Sequence, residues 1–505
     1  MSATSTPGIS ASARRVIVVT VLVAAFMQGA NVSLPNAALP HIQGSLSMAD
    51  DEIGWIFTSY LMASVLAIPL TPWLAGRFGR KLIFQISMVI FAVGLVFDTL
   101  ATTPIPLILA RIVQGAAGGT LLPLAMAILL DVLPPARRAR IGLWLNACVL
   151  SGISSGPSIG GWLSEYHGWH SIFYFSLPMV GFIFLAVTLL LPEKKAAQPP
   201  SFDFFGFATF SLGLTGLQMV LDRGERLEWF DSPEIWVEAL ASALGFYMFI
   251  VHVLTMKTHF FDKGLFKDRN FILSTIMYFA VGFVLLPTLA LTSPMLEELL
   301  NYPVDTTGYV TIARGVTLVG TLVLMDFVPA RINNRMLLMG GLAIVTYADW
   351  RMLGYSPAMD WRAVEIALLF QGVGVGISIP ALAKTAFGTL DQKLHPQGRP
   401  IFNLTRLYGG TIGIAVVQIF FYGNTQAMHL ALAKDLAPYR AAARLTASLA
   451  KPGLAKLNDL VTGQAAIVAI IGQFKILMYA TLIVSPLVLF LRKAPSLVKF
   501  AEPMK

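Results

Sequence analysis

The sequence predicts an all-α polytopic membrane protein: two six-helix bundles with two extra transmembrane helices between them, fourteen spans in all. Three observations predict it. Of 505 residues, 56% are hydrophobic and only 12% charged, about half the charged share of a soluble chain. The apolar residues gather in continuous runs of about 20, the length that crosses a bilayer as a helix, rather than in the alternating ten-residue segments of a membrane barrel. The ionic residues fall almost wholly in the connections. The 33 Phe, 13 Tyr and 9 Trp exclude a disordered chain, and the single cysteine, Cys148, excludes a disulfide scaffold.

The expected spans are 16–37, 53–74, 82–101, 105–130, 141–163, 171–191, 204–221, 235–254, 271–292, 306–325, 336–354, 362–383, 402–422 and 470–491. Arg14 and Arg15 ahead of the first run imitate a signal peptide, but the run continues past Ala30 to Pro35 and Pro40, longer than a cleavable segment. Basic residues orient the chain. With the N-terminus inside, the inner connections hold 23 Lys and Arg and the outer ones 9, five of these in the long segment 423–468. Both termini are therefore expected in the cytoplasm. The net charge of +9 is mostly this topological excess, and no nucleic-acid partner is implied.

The connections divide the chain into an N-terminal bundle (1–192), a linker with the two extra helices (193–269) and a C-terminal bundle (270–505) that includes the outer segment 423–468. Two six-span halves imply a transporter with its binding site between them near the midplane. Four basic residues remain inside spans: Arg111, Arg314, Arg406 and Lys475. A charge at that depth costs several kcal/mol and marks a functional candidate. Snorkelling from a helix end is the plain alternative, strongest for Lys475 and Arg406. No acid falls at the middle of a span: Asp98, Asp349 and Glu365 lie near outer ends, Asp131 and Asp326 near inner ends.

Three motifs carry the chemistry. WLAGRFGRK (73–81) makes a short basic inner turn, with Arg77, Gly79, Arg80 and Lys81 able to meet helix-end carbonyls. ARIVQGAAGG (110–119) places Arg111 and Gln114 on one helix face, beside a tight Gly115/Gly119 surface. GISSGPSIGG (152–161) repeats Gly152, Gly156 and Gly160 every four residues around Pro157 and ahead of Gly161, which reads as close packing against the opposite half. Gln28, Asn31 and Asn36 are expected to line the first span with polar groups, and Arg314, Asn403 and Arg406 to face them from the other half. GVGVG (372–376) lies in an apolar run with no strand before it and is no dinucleotide fingerprint. His167 and His170 have no third ligand nearby, so no metal is expected.

Together GRFGRK, RIVQG and GISSGPSIGG resemble the signature motifs of the drug–proton antiporters of the major facilitator superfamily. The fourteen-span plan resembles their EmrB/QacA-type branch, as do NAALPHIQGSL (36–46), LDRGERLEWFDSPEI (221–235) and FNLTRLYGGTIGIA (402–415). The resemblance implies no enzyme and no cofactor. It implies export of amphipathic organic compounds across a bacterial inner membrane, driven by the proton motive force, with Arg111 and Gln114 coupling, Gly152 to Gly161 sealing an interface and Arg77 to Lys81 latching the inner face. In the EmrB-like type, 423–468 would dock a periplasmic adaptor protein leading to an outer-membrane channel; in the QacA-like type the chain works alone with substrate and lipid. Two positions depart from the pattern: Asn31 and Gly76 stand where that branch carries acids. An amide cannot take up a proton, so a proton route would have to use one of the acids near the span ends (Asp98, Asp349, Glu365, Asp131 or Asp326), or His41, or run through Arg111 and its neighbours. The alternative class, a polytopic membrane enzyme, would draw on the acids of the outer loop 222–234, which reads as a solvated hairpin.

Overall fold

The computed structural model describes residues 10–49, 52–193, 201–256, 262–329, 332–435 and 451–492. Among these there is no strand, and helix covers every expected span. The N-terminal helices are α1 (Ala11–Ser33), α2 (Leu39–Leu46), α3 (Trp55–Phe78), α4 (Arg80–Leu100), α5 (Pro104–Val132), α6 (Pro135–His167), α7 (Ser171–Tyr174) and α8 (Leu177–Leu190). The extra pair is α9 (Phe204–Arg223) and α10 (Pro233–Thr255). The C-terminal helices are α11 (Arg269–Pro294), α12 (Val304–Leu324), α13 (Asn334–Met352), α14 (Trp361–Gly388), α15 (His395–Asp435) and α16 (Lys451–Val484). By length and composition, 12 helices among the described residues can cross a membrane. The remaining two are α6, rich in Gly and Ser, and α13, with Arg335, Asp349 and Arg351.

Local chemistry sets the boundaries. Pro35 and Pro40 lack amide hydrogens, so the first span breaks after Ser33 into a 3-10 turn, Leu34–Ala38, and then α2. Asp203, Asp268 and Asp360 accept from the backbone amides of Gly206, Phe271 and Arg362, starting α9, α11 and α14. Three of the chain's 27 acids thus serve as helix caps.

Two departures lie outside the bilayer. α15 has 41 residues and the helical run of α16 has 34, about 60 and 50 Å at 1.5 Å per residue, against a core of about 30 Å. Segment 423–468 therefore begins and ends as extensions of spanning helices, joined by His429 Nε2 to Asn458 Oδ1 at 3.2 Å; residues 436–450 lie outside the described ones. The 222–234 loop is more tied than a solvated hairpin. Arg223 pairs with Glu234 and Glu238, and Arg226 reaches Glu52 at 2.8 Å.

The packing repeats. α1 lies on α6, α3 on α5 and α4 on α5; likewise α11 lies on α15, α12 on α14 and α13 on α14. The halves meet where α6 packs on α12 and α3 on α15, and α9 leans on α3 and α15 beside that seam. Tyr408 Oη donates to the Leu214 carbonyl there at 3.4 Å.

The glycine repeat is placed differently from the expectation. A Cβ at Gly152 would overlap the Phe26 carbonyl oxygen, one at Gly156 the Ser33 hydroxyl, and one at Gly160 the Leu34 carbonyl oxygen. All three therefore face α1 or the 3-10 turn that follows it in their own half, where Ser33 Oγ also donates to the Ile153 carbonyl at 2.7 Å. α6 meets the opposite half through Gly161, against Val304, and through Ser154 and Ser158. Ser158 Oγ donates to the Gly308 carbonyl at 2.6 Å.

Substituting Gly156 by Leu should overpack the α1–α6 seam at a cost of about 1–3 kcal/mol or more. Gly181→Leu, whose added Cβ meets nothing within 4 Å, should be near neutral. Thermal unfolding of the purified variants in detergent compares the two.

Candidate functional site

Arg111 sits on α5 with no solvent exposure, so its donors must be met by protein. Three helices meet them. Nε donates to the Ile56 carbonyl of α3 at 3.1 Å, Nη2 to the Asn31 carbonyl of α1 at 3.1 Å, and Nη1 to Gln114 Oε1 one turn along α5. The guanidinium lies 4.3 Å from the centre of the Tyr60 ring, a desolvated cation–π contact. Gln114 Nε2 then donates to Asn31 Oδ1 at 3.1 Å, and Asn31 Nδ2 to Met27 O at 2.9 Å and Ser176 Oγ at 2.8 Å. Arg111, Gln114 and Asn31 thus form one network. Gln28 is buried nearby on α1, its Oε1 without a partner, and Asn36 is buried in the 3-10 turn.

Every hydrogen bond to Arg111 comes from a neutral acceptor. The acid within its electrostatic reach is Asp98 of α4, which by sequence position alone belongs to a helix end. Asp98 is fully buried and neither carboxylate oxygen has a hydrogen-bond partner. Its level follows from packing. Gly94 presses on Gln114, so close that an added Cβ would lie 2.8 Å from Gln114 Cβ. Because α4 and α5 run antiparallel, one turn onward from Gly94 lies opposite one turn back from Gln114, which sets Asp98 against Arg111.

The C-terminal half also buries an arginine near an acid and a glutamine. Arg314 on α12 is fully buried and donates to the Leu285 carbonyl of α11 at 3.1 Å, while its Nε and Nη1 have no partner. Asp349 of α13 lies within its electrostatic reach. Gln371 of α14 donates to Asp349 Oδ1 at 2.7 Å and to Thr288 Oγ1 at 3.1 Å. Arg314 therefore does not face the first-span residues across the interface; its own half encloses it. Arg406 also stays in its half, 5.8 Å from the Tyr278 ring centre, with Nη1 unpartnered. Tyr278 stacks on Phe402 at 4.1 Å, and Asn403 is half-buried on the same helix. Lys475 is exposed on α16 over the Tyr479 ring, the geometry of a snorkelling side chain.

The basic turn also works within one half. Gly79 takes φ +92° between α3 and α4, a backbone angle suited to glycine. Arg80 pairs with Asp131 and donates to the Ala127 carbonyl at 3.1 Å. Lys81 donates to the Thr188 carbonyl at 2.7 Å, and Arg77 lies over Trp73. At the same end, Arg140 crosses from α6 to Asp326 beyond α12 at 3.2 Å.

Residues 21–414 match the Major Facilitator Superfamily. The chain belongs to that superfamily. It is 27% identical over 429 residues to the multidrug export protein EmrB of Escherichia coli K12, covering 84% of this chain and 83% of that one. It is 28% identical over 474 residues to the fatty acid resistance protein FarB of Neisseria gonorrhoeae, covering 92% and 93%. Among solved structures, its fold is similar to a D-xylose–proton symporter (TM-score 0.58, 14% identity, covering 81% of this chain and 89% of that one). It is also similar to a point mutant of the nucleoside transporter NupG (TM-score 0.60, 14% identity, covering 93% and 99%). The chain is a multi-pass membrane transport protein and not an enzyme.

Sequence reasoning names Asp98 and Asp349 among the acids a proton route would have to use, but places both near outer helix ends, and it misses Gln371. One signal was available: a short turn joins α4 to α5, so an acid thirteen residues before Arg111 falls near it across an antiparallel hairpin.

Removing Gln371 tests whether the second network is one unit. Gln371→Leu strips the donor from Asp349 Oδ1 and Thr288, at an expected cost of about 1–3 kcal/mol. In a double-mutant cycle with Asp349→Leu the two costs should be less than additive in thermal unfolding; simple additivity would show that the contact carries no coupling.

Proposed function

We propose that this protein exports amphipathic organic compounds, anionic ones in particular, in exchange for protons. The two six-helix bundles rock about the α6–α12 and α3–α15 seams. The membrane we assign is a bacterial inner membrane with both termini in the cytoplasm, on the strength of the basic-residue count. The relatives named for multidrug export and fatty acid resistance, matched over most of both chains, support export of this class.

The observation that carries the substrate reading is Arg406. Of the three buried in-span arginines, Arg111 and Arg314 each have an acid within electrostatic reach in their own half. Arg406 lies instead against the aromatic pair Tyr278 and Phe402, and its Nη1 donor is unfilled. A guanidinium set among rings, with a free donor, suits a carboxylate or sulfonate on an apolar tail. Substrate is the only ligand this reading needs besides protons and lipid; no cofactor enters. The helical extensions beyond 423 and before 468 are the part we assign to a periplasmic adaptor leading to an outer-membrane channel. Co-purification with the adaptor after deleting 427–450 tests that role, and undiminished binding would remove it.

The main test uses a fluorescent alkyl sulfonate, whose fixed charge prevents passive redistribution with pH, in vesicles under an imposed pH gradient. Arg406→Gln should weaken apparent affinity for the sulfonate about tenfold or more, the worth of one charge-assisted hydrogen bond, and leave a neutral amphipath unaffected. Arg111→Ala should abolish gradient-driven export of both. Unchanged transport in Arg111→Ala would remove its coupling role, and equal losses for both compounds in Arg406→Gln would remove the anion selectivity.

A further inference from the structure

We infer that Asp98 and Asp349 are the proton-carrying groups of this transporter, one in each half, each working against its own buried arginine. The inference rests on the export reading above and names the residues that make it proton-coupled.

Where Arg111 is best held, its partners cannot take up a proton. Asn31 fills the position nearest Arg111 on α1, and an amide does not titrate. Arg111 is satisfied by neutral groups from three helices, so its burial does not need a permanent carboxylate partner. Asp98 is in the reverse situation. It has zero exposure, and neither oxygen accepts a hydrogen bond. A carboxylate so placed is held by electrostatics alone, and that is the arrangement in which gain or loss of one proton changes the local energy most.

The groups facing Asp98 are few. Arg111 of α5 and Tyr60 of α3 lie within electrostatic reach. α7 and α8, also packed on α4, contribute only Tyr174, which is exposed. Asp98 is two residues from the end of α4, on the order of 3 Å of helix rise, so outer water is close.

The second half repeats the arrangement by its own packing. Gly374 of α14 presses on Val345 of α13, and one turn onward that antiparallel register sets Asp349 against Gln371, as the 2.7 Å hydrogen bond records. Asp349 is fully buried with Oδ2 unpartnered. Arg314 of α12 and Tyr355, just past α13, are the charged and titratable groups in reach. Arg351 on its own helix and Lys475 and Tyr479 on α16 are exposed, and Glu365 of α14 is half-buried nearer that helix's outer start. Equivalent helices, α4 and α13, thus carry an acid at equivalent outer ends, each within electrostatic reach of a buried Arg; Asp349 also accepts from Gln371.

The step is a simple protonation. From the outer side each carboxylate takes one proton and becomes a neutral acid, leaving its guanidinium without a counterion. When the bundles have rocked to open inward, the acid returns the proton to water and the carboxylate charge again faces its guanidinium. Each half then changes net charge by one without any other group titrating.

The test is the double variant Asp98→Asn/Asp349→Asn, reconstituted as the full chain in proteoliposomes with the alkyl sulfonate. It should exchange labelled for unlabelled sulfonate at the rate of the unmodified protein, yet fail to accumulate it against an imposed pH gradient. Asp98→Glu/Asp349→Glu should restore accumulation. Accumulation by the Asn variant would overturn the inference. So would loss of exchange or of monodisperse protein in the Asn and Glu variants alike, since that marks a structural role. If the unmodified protein exchanges sulfonate but ignores the pH gradient, or follows a sodium gradient instead, proton coupling itself falls and the assignment with it.

Discussion

A guanidinium buried at the depth of hydrocarbon has to be satisfied by the protein around it, and the N-terminal half is arranged to do so. Arg111 draws a carbonyl from α3, a carbonyl from α1 and an amide oxygen from its own helix. Each bond fixes a neighbour's height and rotation. The carbonyl of Asn31 can turn inward because the chain leaves regular helix at the Pro35 break shortly after it. The close approach of α3 to α5 that brings the Ile56 carbonyl into range depends on Gly115 and Gly119, whose missing side chains admit the backbones of Tyr60 and Ser64. Arginine and glycines therefore belong to one construction: remove the small residues and the donors lose their acceptors.

Much of this is legible in the sequence. Length and hydropathy place helix at each expected span, since lipid leaves a chain so few options. Arg111 and Gln114 are readable because a charge and an amide three residues apart in an apolar run have few innocent explanations. What fails is contact across helices. Gly152, Gly156 and Gly160 say that a backbone approaches, not whose; the approach belongs to α1, while the serines between those glycines face the other half. The burial of Asp98 and Asp349 escapes for a related reason. By position each looks like a residue at the membrane surface, and only the register of α4 on α5, or α13 on α14, shows that the surface there is covered. Arg314 is buried in its own half rather than facing the first span, because facing direction depends on which helix packs beside α12.

The repeat between halves is one of composition more than of position. Each half holds a buried Arg, Gln and Asp, and the Asp and Gln sit on equivalent helices. The Arg does not: it comes from α5 in the first half and from α12, the counterpart of α3, in the second. A guanidinium on a long flexible stem can reach the same cluster from either neighbour, so the repeat constrains the cluster's chemistry and leaves its supplier free.

The seams within and between the halves are built from different materials, and that difference bears on motion. Inside each half, backbone meets backbone. Gly152 lies on a carbonyl of α1 and Gly160 on one of the 3-10 turn after it, and Gly282 and Gly409 on those between α11 and α15. Such contacts interlock, and sliding either helix by a fraction of a turn would drive side chains into main chain. Between the halves, α6 and α12 meet through Ser154, Ser158 and Thr311, hydroxyls that can exchange one partner for another or for water. The ends of that seam carry Tyr166 with Asp305 at one side and Arg140 with Asp326 at the other. Tyr166 and Arg140 are well exposed, and exposed pairs of this kind contribute about 1 kcal/mol or less. Two interlocked bodies joined by an exchangeable seam with weak clasps at both ends are the construction that the proposed rocking needs, one end opening as the other closes.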